Sequence, residues 1–491
     1  MRHLTAALTA LVAVACACTG GGDGGGAPTA APTPSATVST APPVTASPSS
    51  ASPPASPSAT ASPSPSSSSC PTAYARPYPD RPVVTLSFDV AASKATVTGT
   101  ERVVFTPDRP VDRLVFRLWA NAPVPRRAGG STSVGRFVVD GTARAFSLGN
   151  GGTLLTAPLG RVAPAGTALT IDLDFSLTLP SGANERLGHR GDVAWFGSGF
   201  PLLAWQRGRG WATEPATAAF AEAATSEAFR LADLAVKVPS GRDSVLGTGI
   251  VRHTEGLVEH READAVRDVM IAVGPFAIAE GLAEGYRVRV GVAPGLPDDP
   301  ERLLALHRSA ITGLTRRFGP YPYEMLQVAV VPDLRGGVEF PSAILLGSRQ
   351  DQDATLVHEV AHEWFYGLVG NNQGRDPWLD EAFATYAEAL VRGTGSRYLS
   401  SSIPASGVNR VGAPMTYWEP RTSAYYRSVY VQGAAMLLRA RRAAGAARWD
   451  RTMRCYVAAM AYRVATPEDV RRAFAAYPAA VALMRRMGAV R

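Results

Sequence analysis

Two histidines four residues apart enclose a glutamate in the string His358-Glu359-Val360-Ala361-His362. At helical pitch both imidazoles lie on one face and can reach a single metal ion. Glu359 follows the first histidine directly, which places it to work on a water at that ion rather than to bind the ion itself. Eighteen residues separate His362 from Glu381, which stands within Trp378-Leu379-Asp380-Glu381. Two histidines and one carboxylate make three ligands. Zn2+ held by three keeps its fourth position open to water, the arrangement of a hydrolytic site rather than a structural one. Only seven histidines occur in the chain, so two of them in this pattern by chance, followed by a carboxylate at a helix start, is a rare coincidence.

These residues converge only if the chain around them is helical. Residues 353–365 read as a helix, with Asp353 as N-cap and Gly367 as the stop. A second helix spans 377–392, opened by Pro377 and closed by Gly393. The loop 367–376 would fold the second helix back upon the first. Upstream, 301–318 reads as a helix bounded by Pro297, Pro300 and Gly319-Pro320, and 326–331 as a short buried strand. The tail from 431 to 491 is rich in Ala and Arg and mostly helical. Before Pro300 the periodicity is two. Residues 83–88, 95–104, 114–118 and 169–177 alternate apolar with polar, and similar runs recur at 234–238, 269–273 and 286–292. The expected fold is α+β, a β-rich N-terminal sandwich or saddle followed by a mainly helical domain that carries the metal site.

The stretch HEVAHEWFYGLVGNNQGRDPWLDEAFATYAE, residues 358–388, resembles the aminopeptidase N-like gluzincin zinc metallopeptidases, with weaker similarity over roughly 195–440. The resemblance implies a thermolysin-like catalytic domain after the β domain, one Zn2+ per chain held by His358, His362 and Glu381, and Glu359 as general base. It also implies peptide substrates with a free N-terminus. The family's G-x-M-E-N segment, whose glutamate binds the substrate's α-amino group, corresponds to Gly336-Gly337-Val338-Glu339-Phe340, with Val338 and Phe340 in place of Met and Asn. Gly336, Gly337 and Glu339 are thus the expected substrate-binding residues. A tyrosine that donates to the developing oxyanion corresponds to Tyr430, ahead of Val431-Gln432-Gly433-Ala434, with Tyr425 as a second candidate. Glu388, two turns past Glu381, is a candidate acceptor behind a ligand histidine; Glu363 and Asp380 flank the site without a role. The altered segment, and about 60 residues after Tyr430 where larger members close a helical domain over the substrate, open a second reading as an endopeptidase or restricted-substrate peptidase. A non-catalytic surface binding module is the third.

Arg2 and His3 precede an apolar run over 4–15, too short to span about 30 Å of hydrocarbon and suited to the core of an export signal. Small residues around Cys16 and Cys18, followed by Gly20-Gly21-Gly22, are similar to a bacterial lipoprotein signal, although neither cysteine has the usual Leu three residues before it. Either would be the lipid acceptor, and plain secretion is the alternative. Residues 27–69 contain only Ala, Pro, Ser and Thr apart from Val38 and Val44, which reads as a disordered stalk. The expected organisation is a signal over 1–18, a linker over 19–73, the β domain over 74–282 and the catalytic domain over 283–491. Cys70 and Cys455 would pair in an oxidising compartment or remain two thiols.

Composition excludes some classes. The chain of 491 residues, 46% hydrophobic, can bury a sizeable core, and no disulfide scaffold is needed. The net charge of +8 comes almost wholly from arginine, since Lys94 and Lys237 are the only lysines. No run of five basic residues occurs, so a nucleic-acid partner is not expected. Membrane contact is expected only through an N-terminal lipid, and nothing in the sequence speaks to oligomeric state.

Overall fold

Alternation builds the first half of the molecule. In the strand Leu169–Thr178, Leu169, Ile171, Leu173, Phe175 and Leu177 are buried while the residues between them face outward, each apolar side chain contributing about 1.5–3 kcal/mol of transfer free energy. That strand lies in an eight-stranded sheet, in the order Ile250–Glu255, Val258–Val266, Phe229–Lys237, Val83–Val90, Thr96–Phe105, Leu169–Thr178, Ser131–Val139 and Thr142–Ala143. Its pairings are antiparallel except that of Val83–Val90 with Phe229–Lys237. Two four-stranded sheets, one of them containing Leu187–Arg190 and Val193–Gly197, and a two-stranded pair, Trp205–Gln206 with Gly210–Trp211, make up the rest of the β-rich half among the described residues. The computed structural model describes residues 70–217, 226–348 and 352–491. The expected signal peptide, Cys16 and Cys18 included, and the stalk up to residue 69 lie outside the described residues.

A five-stranded mixed sheet opens the second half, in the order Ala277–Ala283, Tyr286–Val292, Met325–Val331, Ala343–Gly347 and Gly337–Phe340. Ala277–Ala283 forms a hairpin with Tyr286–Val292, so the change from one set of sheets to the other comes just after Gly274. Helix Pro300–Phe318 packs on this sheet through Leu303, Leu304, Ile311, Leu314 and Phe318, with Asp299 Oδ1 accepting from the Glu301 amide as an N-cap. Gly337–Phe340 is the edge strand, and it lies against the His358 helix. The C-terminal region is helical over Gln432–Ala444, Ala446–Met460, Pro467–Ala473 and Pro478–Arg486.

The His358 helix is shorter than its sequence suggests. It runs Asp353–Ala361 with Gln352 at the N-cap, so Asp353 sits inside the first turn, where its charge favours the helix N-terminus. His362 ends it. The carbonyls of His362, Glu363 and Trp364 accept from the amides of Gly367, Leu368 and Val369, five residues on, and Tyr366 takes a φ of 142°. The apolar residues Trp364 and Phe365 continue the pattern of a helix, but Gly367 approaches Glu363 so closely that a Cβ there would lie 2.9 Å from the Glu363 carbonyl oxygen. Helix Trp378–Arg392 then follows, closed by Gly393 at φ 70°. Cys70 and Cys455 form a disulfide with Cα atoms 5.0 Å apart. No helix among the described residues is long and apolar enough to cross a membrane.

Candidate metal centre

His358 and His362 emerge from the end of one helix and Glu381 from the first turn of the next. Their ligand atoms meet. His358 Nε2 lies 3.1 Å from Glu381 Oε2, His362 Nε2 lies 3.3 Å from the same oxygen, and the two Nε2 atoms are 3.0 Å apart. The remaining ring nitrogens explain why this is a cation site. His362 Nδ1 donates to the Phe365 carbonyl oxygen at 2.9 Å, which leaves Nε2 as a bare lone pair. His358 Nδ1 faces Thr385 Oγ1 at 3.5 Å, and that hydroxyl donates onward to the Glu381 carbonyl oxygen at 2.7 Å. Lone pairs and a carboxylate oxygen crowded at such distances repel one another unless a cation lies between them. Ligands at about 2.0–2.2 Å from a tetrahedral Zn2+ stand about 3.3 Å apart, so the donor set fits that ion.

Burial disfavours charge on Glu381, but the facing histidines outweigh it and hold the carboxyl far below its ordinary range. Glu359 behaves in the opposite way. It is 5% exposed, burial pushes its carboxyl up to about 7 against the pull of His358 and His362, and its Oε2 has no hydrogen-bond partner among the described residues. A buried polar atom left unpaired is costly, and this one belongs to the group expected to take a proton. Gly337 brings the edge strand against it, since a Cβ at Gly337 would lie 2.3 Å from Glu359 Cγ. Gly336, at φ 99°, makes the turn into that strand. Glu339, two residues on, is 7% exposed, and it, Glu359 and His362 each offer an atom within 4.8 Å of the others.

Tyr430 donates to Glu381 Oε1 at 2.6 Å and stacks on the His358 ring at 5.7 Å and 20°. It stands in a π turn, Arg427–Val431, inserted ahead of helix Gln432–Ala444, a widening that recurs at functional sites. Tyr425 is fully buried behind it, edge-on to the Tyr430 ring. Glu388 does not back a ligand histidine. It is held by Arg392 Nη1 at 2.8 Å and by the Tyr398 hydroxyl; the backing group for His358 is Thr385, one turn past Glu381. Glu363 accepts from the Ser342 amide at 2.9 Å and ties the helix end to the sheet. Asp380, raised to about 7 by burial and by Glu381, accepts from Gln373 Nε2 at 3.0 Å.

Residues 341–484 match the Peptidase family M1 domain. The chain is 25% identical to Aminopeptidase M1-D of Oryza sativa subsp. japonica over 245 residues, 43% of this chain and 28% of that protein. It is 26% identical to Aminopeptidase N of Streptomyces lividans over 179 residues, 32% of this chain and 21% of that protein. These matches agree with the resemblance of residues 358–388 to the aminopeptidase N-like gluzincins. The chain spans less than a third of the length of these curated relatives. Its fold is that of the M1 zinc metallopeptidase from Deinococcus radiodurans, with TM-score 0.60 and 18% identity over 85% of this chain and 95% of that one. A mutant of the same enzyme bound to a Tyr-Ser-Ala substrate gives TM-score 0.61 at 18% identity, covering 83% and 93%.

The two residues of the glycine-rich segment that depart from the pattern it resembles are packed residues. Val338 and Phe340 join a cluster with Val193, Trp195 and Leu345, and Phe340 fills space left by Gly197, where a Cβ would lie 1.9 Å from its ring. Sequence reasoning missed Gln373 and Arg186, both of which donate to Glu339 Oε1. Gln373 lies inside the 358–388 stretch and was legible as a polar residue in the ligand loop. Arg186, 153 residues before Glu339, carries no motif at all.

Proposed function

We propose that this chain is an exported zinc aminopeptidase that removes N-terminal residues from peptides. The observation that carries the reading is the placement of Glu339 beside Glu359 and His362, within 4.8 Å atom to atom. A carboxylate there meets a positive substrate terminus, and an ammonium held so close to the base leaves room for only one residue before the scissile bond. Zn2+ bound by His358, His362 and Glu381 would supply Lewis acidity, polarising the carbonyl and lowering the pKa of water from about 15.7 toward about 7. Glu359 takes the proton of the attacking water on Oε2 and passes it to the leaving amine. The Tyr430 hydroxyl donates to the carbonyl oxygen as negative charge gathers on it. Tautomers and ring planes are set beforehand by the Phe365 carbonyl and Thr385.

Export is supported by the signal-like start of the chain and by the disulfide, a bond that persists in oxidising compartments; lipidation at Cys16 or Cys18 would place the enzyme on the cell surface. Recovery of the native protein from the cytosolic fraction would sink this part. The catalytic reading is tested on zinc-replete protein with one short peptide and its N-acetylated form. Release of the first residue from the free peptide, with at least about 100-fold slower cleavage after acetylation, is expected. Equal rates favour the endopeptidase, and no hydrolysis of either leaves the binding module.

A further inference from the structure

Arg186 enters the site from the β-rich half, just ahead of the strand Leu187–Arg190. Its side chain is 3% exposed. The guanidinium carbon lies 5.2 Å from the centroid of the Phe340 ring and 5.7 Å from that of Trp119, and Nη2 donates to Glu339 Oε1 at 3.4 Å. Nε and Nη1 find no acceptor among the described residues. A buried cation is costly unless paired, and Glu339 is the carboxylate it pairs with. Burial alone would lower its pKa, but Glu339 and the neighbouring acids outweigh burial and keep it charged. Gln373 Nε2 donates to the same oxygen at 3.1 Å and to Asp380 at 3.0 Å. Both protein donors therefore sit on one oxygen of Glu339. The substitution of Phe340 into the glycine-rich segment also finds a use, because its ring is the platform under the guanidinium.

We propose that Arg186 is a positioning residue for recognition of the substrate's α-ammonium, anchoring Glu339 through Oε1 so that Oε2 meets the substrate. The proposal rests on the aminopeptidase reading. A carboxylate has lone pairs enough for both cations, and the planar fork of arginine holds it in one orientation where a flexible ammonium would not. Recognition of the substrate terminus is then shared between the two halves of the molecule, with the β-rich half fixing the carboxylate that the catalytic half presents.

The test uses full-length, zinc-loaded protein carrying Arg186→Met, which keeps much of the apolar stem and loses the charge, and Arg186→Lys, which keeps charge without the fork. KM and kcat are measured on a short peptide with a free N-terminus, and leucinamide is used as a competitive probe of the ammonium subsite. Arg186→Met is expected to raise KM and the leucinamide inhibition constant by about 10–100-fold, with kcat within about threefold and zinc content unchanged, and Arg186→Lys to fall between. Either variant binding leucinamide within about twofold of wild type, or losing kcat without a change in KM, overturns the proposal. If Arg186→Met does not fold, Arg186→Lys alone decides by the same readings. Wild-type protein that cleaves free and acetylated peptide alike would instead refute the aminopeptidase reading itself, and this proposal with it.

Discussion

Glu101, Glu359 and Glu363 are all buried carboxyls raised above their ordinary range by loss of water, and their neighbours give them different work. Glu363 is satisfied by the Ser342 amide and anchors structure. Glu359 has an unpaired oxygen beside a metal-binding cluster. Glu359→Gln should retain zinc by elemental analysis and lose turnover; undiminished hydrolysis by the zinc-loaded variant would remove it as the base. Glu101 lies inward on the strand Thr96–Phe105, flanked by Leu86 and Leu173, with Oε2 unpaired among the described residues. Its folded form holds the proton while the unfolded chain releases it near 4.5. Stability is therefore greatest below that pH and falls as pH rises toward the folded value, by about 1.4 kcal/mol per unit. Glu101→Leu should remove that slope and gain about 1–3 kcal/mol at pH 7, read by urea denaturation at pH 4 and 7. A steeper slope in the variant would contradict the account. The alternation of residues 95–104 already put Glu101 on the inward face, but only packing shows that no partner meets it there.

At the scale of elements, the edge strand and the end of the His358 helix do the positioning. Gly337 exists as glycine because Glu359 occupies the space of its Cβ. Gly337→Ala should displace Glu359 and lower kcat about 100-fold, a misplacement on the order of 1 Å being enough, while zinc binding persists. Unchanged kcat would mean that the strand yields. The His358 helix stops at Ala361 because the Phe365 carbonyl must turn back to His362 Nδ1. Helical periodicity ran on to Phe365, since Trp364 and Phe365 are buried whether the chain is helical or not. The π turn at Tyr430 likewise leaves no mark in the residue pattern, as it changes hydrogen-bond spacing rather than side-chain type.

Across the whole molecule, two distant segments close the fold. The Cys70–Cys455 disulfide ties the start of the described chain to helix Ala446–Met460 across 385 residues. Arg267 of the β-rich half donates to the Gly367 carbonyl oxygen at 3.2 Å, in the turn after the ligand histidines, and to that of Ser226 at 2.9 Å. Cys455→Ser should cost roughly 2–4 kcal/mol of stability by denaturant titration and leave the KM of the folded enzyme unchanged; a variant as stable as wild type would show the bond to be dispensable.

Spacing alone was enough to pick out the three side chains that meet, His358, His362 and Glu381, because a helix of fixed pitch converts four residues of separation into a shared face, and alternation was enough to specify the β-rich half. The partners of those groups were a different matter. Thr385 rather than Glu388 behind His358, Gln373 and Arg186 on Glu339, and Phe340 beneath the guanidinium depend on which surfaces meet when sheets and helices pack. Such contacts join residues as distant in the chain as Arg186 and Phe340, and no local periodicity encodes a distance of that kind.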